Sequence, residues 1–276
     1  MKVSDIINQN VIYAEVPGSR DQVLRVLQEK KISGMPVVKK GTKQLIGIIT
    51  REDILRHPDE EQLALIMNRN VLSVDYDASF EECLRVMKER GFRRIPVVSQ
   101  GELKGIITVG DIVHKVIANS SSSAKVSDFM RRKVLAVWGA TPVNIASRIM
   151  HMAGEYVALV LDNEVRVAGI VSNTDLIRLV EMKMEEKKSV LKSGSESQEW
   201  DWETSSVLYI SKQKISLPFM PLHQIMSTPC ITISESSTIA ECANKMLKYN
   251  IDQLPVTNIR DEVIGMIFDI DLVKSL

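Results

Sequence analysis

One short pattern returns four times along this chain, and it limits the fold more than any other feature. Met35-Pro36-Val37-Val38 is followed by Gly47-Ile48-Ile49-Thr50 and then Asp53. The series recurs as Ile95-Pro96-Val97-Val98, Gly105-Ile106-Ile107-Thr108 and Asp111. A weaker third copy reads Val157-Ala158-Leu159-Val160, Gly169-Ile170-Val171-Ser172 and Asp175. The fourth reads Leu254-Pro255-Val256-Thr257, Gly265-Met266-Ile267-Phe268 and Asp271. The terminal Asp residues stand 58, 64 and 96 positions apart, so about 32 additional residues interrupt the last interval. Such a period marks one supersecondary unit used repeatedly, and a unit of this size cannot bury its apolar face alone.

Each copy has the same coarse order. A short apolar run, Val71-Leu72-Ser73-Val74 in the second copy, precedes a polar turn and a helix. On that helix Phe80, Cys83, Leu84 and Met87 form an i, i+3, i+4, i+7 stripe, one buried face. Ser79 with Glu82 three residues on is a capping-box pattern, repeated by Ser19 with Gln22 and Thr238 with Glu241. In the third copy, Thr141 before Pro142 predicts an N-cap followed by the first helical residue. Two β-rich runs follow, separated by a turn around Gln100-Gly101, and a last helix opens just after Thr108. The unit reads βαββα, and the fold class is α/β (α+β).

A three-stranded sheet with helices on one side needs a second layer. Consecutive copies should therefore pack sheet to sheet, the first with the second and the third with the fourth. The polar stretch Asn119-Ser120-Ser121-Ser122-Ser123 separates the two modules. The expected boundaries are 1–60, 61–119, 120–184 and 220–276, with 185–219 as an insertion. Within it, Val207-Leu208-Tyr209-Ile210 and Lys214-Ile215-Ser216-Leu217 suggest a hairpin covering a sheet edge, and residues 188–200 a mobile loop. Trp200 and Trp202 offer the other reading, a partner surface.

Charge and composition exclude several classes. The chain carries 35 Lys+Arg against 35 Asp+Glu, which argues against the broad cationic footprint of a nucleic-acid or membrane binder. No apolar run approaches the roughly 18–20 residues that span a bilayer. The start, MKVSDIINQN, has no apolar signal segment. Cys83, Cys230 and Cys242 are scattered outside any CxxC or Cys/His cluster, as free thiols in a reducing compartment would be. A cytoplasmic protein without a metal site is expected. His57, His114, His151 and His223 lie far apart, and neither HExxH nor GxxxxGK occurs, so nothing supports an enzyme.

The apolar-Pro-Val-Val strand and the Gly-apolar-apolar-Thr-x-x-Asp end resemble the cystathionine-β-synthase (CBS) domain, over nearly the whole chain apart from about residues 185–219. Paired CBS domains form a Bateman module, whose cleft commonly holds an adenosine-containing ligand. Four copies without an appended enzyme are similar in layout to the regulatory γ subunit of AMP-activated protein kinase and to stand-alone four-repeat CBS proteins. The resemblance implies two Bateman modules forming a disk, and a sensor of AMP, ADP or ATP with no cofactor required.

Thr50-Arg51-Glu52-Asp53 itself has two readings. As a helix start, Thr caps and Asp satisfies orphan backbone donors. As a binding element, the carboxylate accepts from ribose hydroxyls while the helix N-terminus offers N–H groups to a phosphate. Both can hold, and the resemblance adds the second to the first. It implies Asp53, Asp111, Asp175 and Asp271 as ribose ligands supported by Thr50, Thr108 and Ser172. Phe268 replaces the hydroxyl residue in the fourth copy and puts the Asp271 site in doubt. The resemblance also implies Arg93 and Arg94 as phosphate ligands, a task that guanidinium forks suit. The matching pairs, Ser33-Gly34, Glu155-Tyr156 and Asp252-Gln253, are not basic, so the first module should be the better phosphate binder. Ile12, Met35, Leu72 and Ile95 are candidate adenine walls. Other readings are an S-adenosylmethionine-binding protein on the same scaffold, and an assembly protein that docks an unidentified regulated partner through the Trp-bearing insertion. A monomer able to dimerise through its helices is expected.

Overall fold

The computed structural model describes residues 2–192 and 205–276, and the side chains of all of these except 182–192 and 205–213. The first unit runs β1 (Ala14–Val16), α1 (Arg20–Glu29), β2 (Gly34–Lys39), β3 (Leu45–Thr50) and α2 (Arg51–Arg56). A short helix, α3 (Leu63–Ile66), leads into the second: β4 (Val74–Asp75), α4 (Phe80–Arg90), β5 (Arg94–Ser99), β6 (Glu102–Thr108) and α5 (Val109–Ile112). The wider π turns of Val113–Ile117 extend α5. The third has β7 (Ala136–Trp138), α6 (Val143–Ala153), β8 (Val157–Leu161), β9 (Val167–Ser172) and α7 (Asn173–Arg178). A hairpin of β10 (Glu181–Lys192) and β11 (Ser205–Ser216) precedes the fourth: β12 (Ile233–Ser234), α8 (Ile239–Tyr249), β13 (Gln253–Thr257), β14 (Val263–Phe268) and α9 (Asp269–Val273).

Every unit is thus βαββα. In each, the first strand pairs parallel with the second, and the second antiparallel with the third. The predicted stripe on α4 is buried, and Ser79 Oγ accepts from the Glu82 backbone N–H as a cap should. Ser19 with Gln22 and Thr238 with Glu241 close full capping boxes. The third unit differs by one residue. Its helix begins at Val143, with Pro142 rather than Thr141 in the capping place and no side-chain cap. Gln100 and Gly101 both have positive φ, the geometry of a two-residue hairpin turn.

Units pair in chain order, by exchange of their leading segments. Lys2 and Asn8 of the first bridge to Ser79 and Ile106 of the second, while Gln62 and Asn68 of the second bridge back to Ser19 and Ile48 of the first. Lys125 with Thr238, Arg131 with Met266, Pro142 with Pro221 and Ile170 with Ser227 repeat the arrangement in the second pair. This crossing explains the recurring glycine. A Cβ on Gly105 would stand 2.7 Å from Ile7 Cδ1, and one on Gly265 2.5 Å from the Arg131 carbonyl oxygen.

Helices then join the pairs. α2 packs on α7 and α5 on α9, so the first unit meets the third and the second meets the fourth. The largest buried cluster accordingly runs from Phe80, Met87 and Ile112 through to Ile239, Met266 and Leu272 without regard to the module boundary. Separate clusters fill the first and third units.

The insertion forms a hairpin, but not the expected one. Both strand-like pieces, 207–210 and 214–217, lie along the single strand β11 and its end, which pairs with residues 181–192. Residues 188–192, expected in a loop, belong to β10. Its base docks on the first unit, where the Ile215 N–H donates to the Pro58 carbonyl and Ile215 is buried, and it forms a sheet separate from those of the four units. The remainder of the expected loop, with Trp200 and Trp202, lies outside the described residues. Among the described residues no helix is long and apolar enough to cross a membrane.

Candidate functional site

Three clefts open at the ends of the third strands, where each sheet hands over to a short helix. The first, about 400 Å³, is lined by Ile48, Thr50, Asp53, Asn68, Phe92 and Arg94, with Arg51 and Arg93 at its inner end. The second, about 340 Å³, is its counterpart, with Ile106, Thr108, Gly110, Asn8, Ile12 and Ile32. The third, about 200 Å³, holds Ile170, Ser172, Asp175, Arg178, Ser227 and Ile251. The first two have the size and the mixed apolar and polar lining of small-molecule sites.

The Thr-x-x-Asp ends combine capping with availability. Asp53 Oδ2 accepts from the Thr50 backbone N–H at 2.8 Å and from Thr50 Oγ1 at 2.6 Å, which leaves Oδ1 without a partner among the described residues. Asp111 repeats this with Thr108, at 2.9 and 2.6 Å, and Asp175 with Ser172, at 2.8 and 2.7 Å. One oxygen fixes the helix start and the other is spare. Arg178, at 3.8 Å, stands beside the spare oxygen of Asp175.

Asp271 is a different case. It is fully buried. Arg131 Nε donates to its Oδ2 at 2.9 Å and Arg131 Nη2 to its Oδ1 at 3.3 Å, while Lys274 Nζ reaches Oδ1 at 2.7 Å. Arg131 also lies over the Phe268 ring, 4.4 Å from its centre. Both oxygens are consumed, so Asp271, expected among the ribose ligands, faces the protein's own cation instead.

The arginine pair does not point outward to solvent. Arg94 Nη2 donates to Ser33 Oγ of the first unit, and its Nη1 is buried with no partner among the described residues. Burial, reinforced by Arg93 and Arg51, lowers its pKa to about 10. Arg93 turns across the module boundary, ion-paired with Asp252 and, at 2.7 Å, with Asp269. Burial opposes its charge, but Asp269 and Asp252 outweigh it and hold the guanidinium above its ordinary range. It also lies 5.0 Å from the centre of the Tyr156 ring. Burial, ahead of the opposing pull of Arg93, pushes the Asp269 carboxyl up to about 6, with Asp252 adding to the rise.

Arg51, Asp252, Asp269 and Tyr156 were not among the residues expected at a site. Arg51 donates to Thr174 Oγ1 of the third unit, its Nε is buried without a partner among the described residues, and burial lowers its pKa. A signal existed: Asp252 and Tyr156 both occupy the position that matches Arg93, and Arg51 and Asp269 both open the helix after the Thr-or-Phe position. Equivalent positions of four repeats converge on one junction, but only their packing shows which sign meets which.

The apolar walls divide. Ile12 is exposed and lines the second cleft. Met35 and Ile95, expected as walls, are buried in the cores of the first and second units, because the face of the second strand turns inward under its helices. Leu72 is half-buried and lines none of these three clefts. Ile48 and Ile106, on the third strands, take the place that was assigned to Met35 and Ile95.

Comparison with known proteins agrees with the repeats. The chain matches the CBS domain model over residues 3–60, 62–118, 126–181 and 222–276. It is 27% identical over 194 residues to protein MJ1225 of Methanocaldococcus jannaschii, covering 64% of this chain and 69% of that one. It is 24% identical to MJ1404 of the same organism over 99% of this chain, and spans 61% of that relative's length. The crystal structure of MJ1225, described as a proposed archaeal homologue of γ-AMPK, superposes with a TM-score of 0.79 at 19% identity, covering 100% of this chain and 99% of that one, a likeness of fold. A conserved protein of Pyrococcus horikoshii gives 0.65 at 27% identity, covering 100% and 99%. Four matched repeats, in pairs that exchange their leading segments, make this chain a member of the CBS-domain family.

Proposed function

We propose that this chain is a non-catalytic regulatory protein that binds adenine nucleotides, AMP, ADP or ATP, between paired repeats and so senses energy status. One observation carries the reading. The first cleft joins a helix start with a spare carboxylate oxygen, at Asp53, to the guanidinium groups of Arg94 and Arg51, each of which keeps one buried N–H without a partner among the described residues. Buried donors of this kind call for acceptors, and a charged acceptor suits a guanidinium best. A ribose supplies hydroxyls for Asp53, and a phosphate supplies oxygens for Arg94 and Arg51. Ile48 and Phe92 offer an apolar surface to a base. Thr108 lines the second cleft, and Asp111, which holds the same helix start, would serve ribose there from just behind that lining. Ligand would shift the arrangement of the repeats through its differential affinity for two states, and a regulated protein partner would read that shift. No cofactor is needed, and the chain acts as a monomer or homodimer.

The third cleft favours a second ligand. Its cation, Arg178, stands beside Asp175, and Asp252 adds a second carboxylate to the lining. A phosphate-free adenosyl compound such as S-adenosylmethionine fits that charge better than a nucleotide does.

Thermal-shift titration with AMP, ADP, ATP, S-adenosylmethionine and GTP, followed by calorimetry, tests both readings. A ligand at 100 times its dissociation constant stabilises by about 2.7 kcal/mol. Adenine nucleotides should shift the midpoint while GTP does not, and Asp53→Ala and Arg94→Ala should each weaken AMP. AMP binding that is unaffected by both substitutions would overturn the assignment of the first cleft.

A further inference from the structure

We infer that Asp252, with Asp269 behind it, limits how many phosphates the central junction accepts, and so selects nucleoside monophosphates against triphosphates. This rests on the adenine-nucleotide reading of the clefts. Asp252 comes from the fourth unit yet lines the first, second and third clefts, together with a further recess that holds Lys31, His114 and Asn250. Its side chain is 51% exposed, so it faces the open junction. Asp269 accepts from the same nitrogen of Arg93 as Asp252 does, Nη2.

The charge at this point is nearly balanced. Arg51, Arg93 and Arg94 meet Asp252 and Asp269, three cations against two anions. Arg93 is already engaged by both carboxylates, which leaves Arg51 and Arg94 as the donors for incoming anion. One phosphate satisfies those two guanidinium groups. Each further phosphate extends from them into the junction and brings negative charge against Asp252, where the partly dry surroundings weaken the repulsion less than bulk water would. The discriminating group thus belongs to the opposite module, and the first module by itself would not show the preference.

Calorimetry on the full chain, without divalent cations, would compare adenosine, AMP and ATP for the wild type, Asp252→Asn and Asp53→Ala. The wild type should bind AMP at least tenfold more tightly than ATP. Asp252→Asn should narrow that ratio at least fivefold, with ATP gaining most, AMP less and uncharged adenosine least. Wild-type binding of ATP as tight as AMP, or a ratio unchanged in Asp252→Asn, would overturn the inference. If AMP still binds and Asp53→Ala still weakens it, the nucleotide reading survives that result. If neither adenosine nor AMP binds the wild type, both fall together.

Discussion

The first and fourth repeats end in the same backbone figure and offer it to different things. At Thr50-Asp53 one carboxylate oxygen closes the capping box and the other is free at the mouth of a cleft. At Phe268-Asp271 the carboxylate is fully buried and holds Arg131 and Lys274. Two substitutions of type produce the contrast. Phe268 stands where Thr50, Thr108 and Ser172 place a hydroxyl, and Arg131 stands where Asn8, Asn68 and Ser227 cross the partner sheet. The long side chain at the crossing reaches back to the helix start, and the ring at the cap gives its guanidinium a face. One helix start can therefore serve a ligand or replace one, and half of the difference lies in a segment more than 130 residues away in sequence.

The comparison breaks most forcefully at Arg131. Arg131→Ala leaves buried Asp271 with Lys274 alone, and should destabilise by about 2–3 kcal/mol, read from urea unfolding. If the loss is only a few tenths, Asp271 is not held as described. Calorimetry on the same variant shows whether removing the guanidinium creates an additional nucleotide site; Phe268 should still block it, and the stoichiometry should not rise.

Next comes the crossing itself. Gly265→Ala directs a methyl group at the Arg131 backbone carbonyl, whereas Gly105→Ala meets the movable end of Ile7. The first should cost about 2 kcal/mol and the second nearer 1, because backbone gives way less readily than a flexible side chain. Equal losses would show that the two crossings are equally yielding.

A smaller effect is expected at the open end. Asp53→Ala removes the charged acceptor for ribose and should weaken AMP about tenfold, or about 1.4 kcal/mol, by calorimetry. Asp271→Asn, in contrast, should alter stability and leave AMP affinity within error.

The smallest effect distinguishes Arg51 from Asp269, which open equivalent helices with opposite charge. The Asp269 carboxyl is raised to about 6, chiefly by burial. A carboxyl raised on folding contributes stability that is present below the ordinary carboxylate range and is lost as pH rises through about 6. Wild-type stability should therefore fall relative to Asp269→Asn, on the order of 1 kcal/mol, between pH 4 and pH 7. A flat difference across that range would mean that Arg93 holds Asp269 ionised throughout.

Much of this was legible beforehand, and for identifiable reasons. The stripe on α4, the boxes at Ser19 and Thr238 and the turn at Gln100-Gly101 are local, so neighbours within four residues settle them. The hairpin was half visible: the β character of 207–217 was readable, but in its partner, the charged run 181–192, apolar alternation is confined to Met182 and Met184 and is too short to announce a strand of that length. Met35 and Ile95 were misplaced because period-2 patterning does not say which face of a strand a second layer will cover.

The sequence by itself determined the repeat, the βαββα order, the chain-order pairing and the Thr-x-x-Asp helix starts, since each is written in spacing and local pattern. Tertiary structure alone decided what those starts face. Arg93 reads as a phosphate ligand by resemblance, but in space Asp252 and Asp269 of another module close on it, and Asp271 reads as a ribose ligand until Arg131 arrives. Charge is listed in a sequence, but the partner that neutralises it is fixed by which helices pack together, and α5 against α9 is a choice made in space.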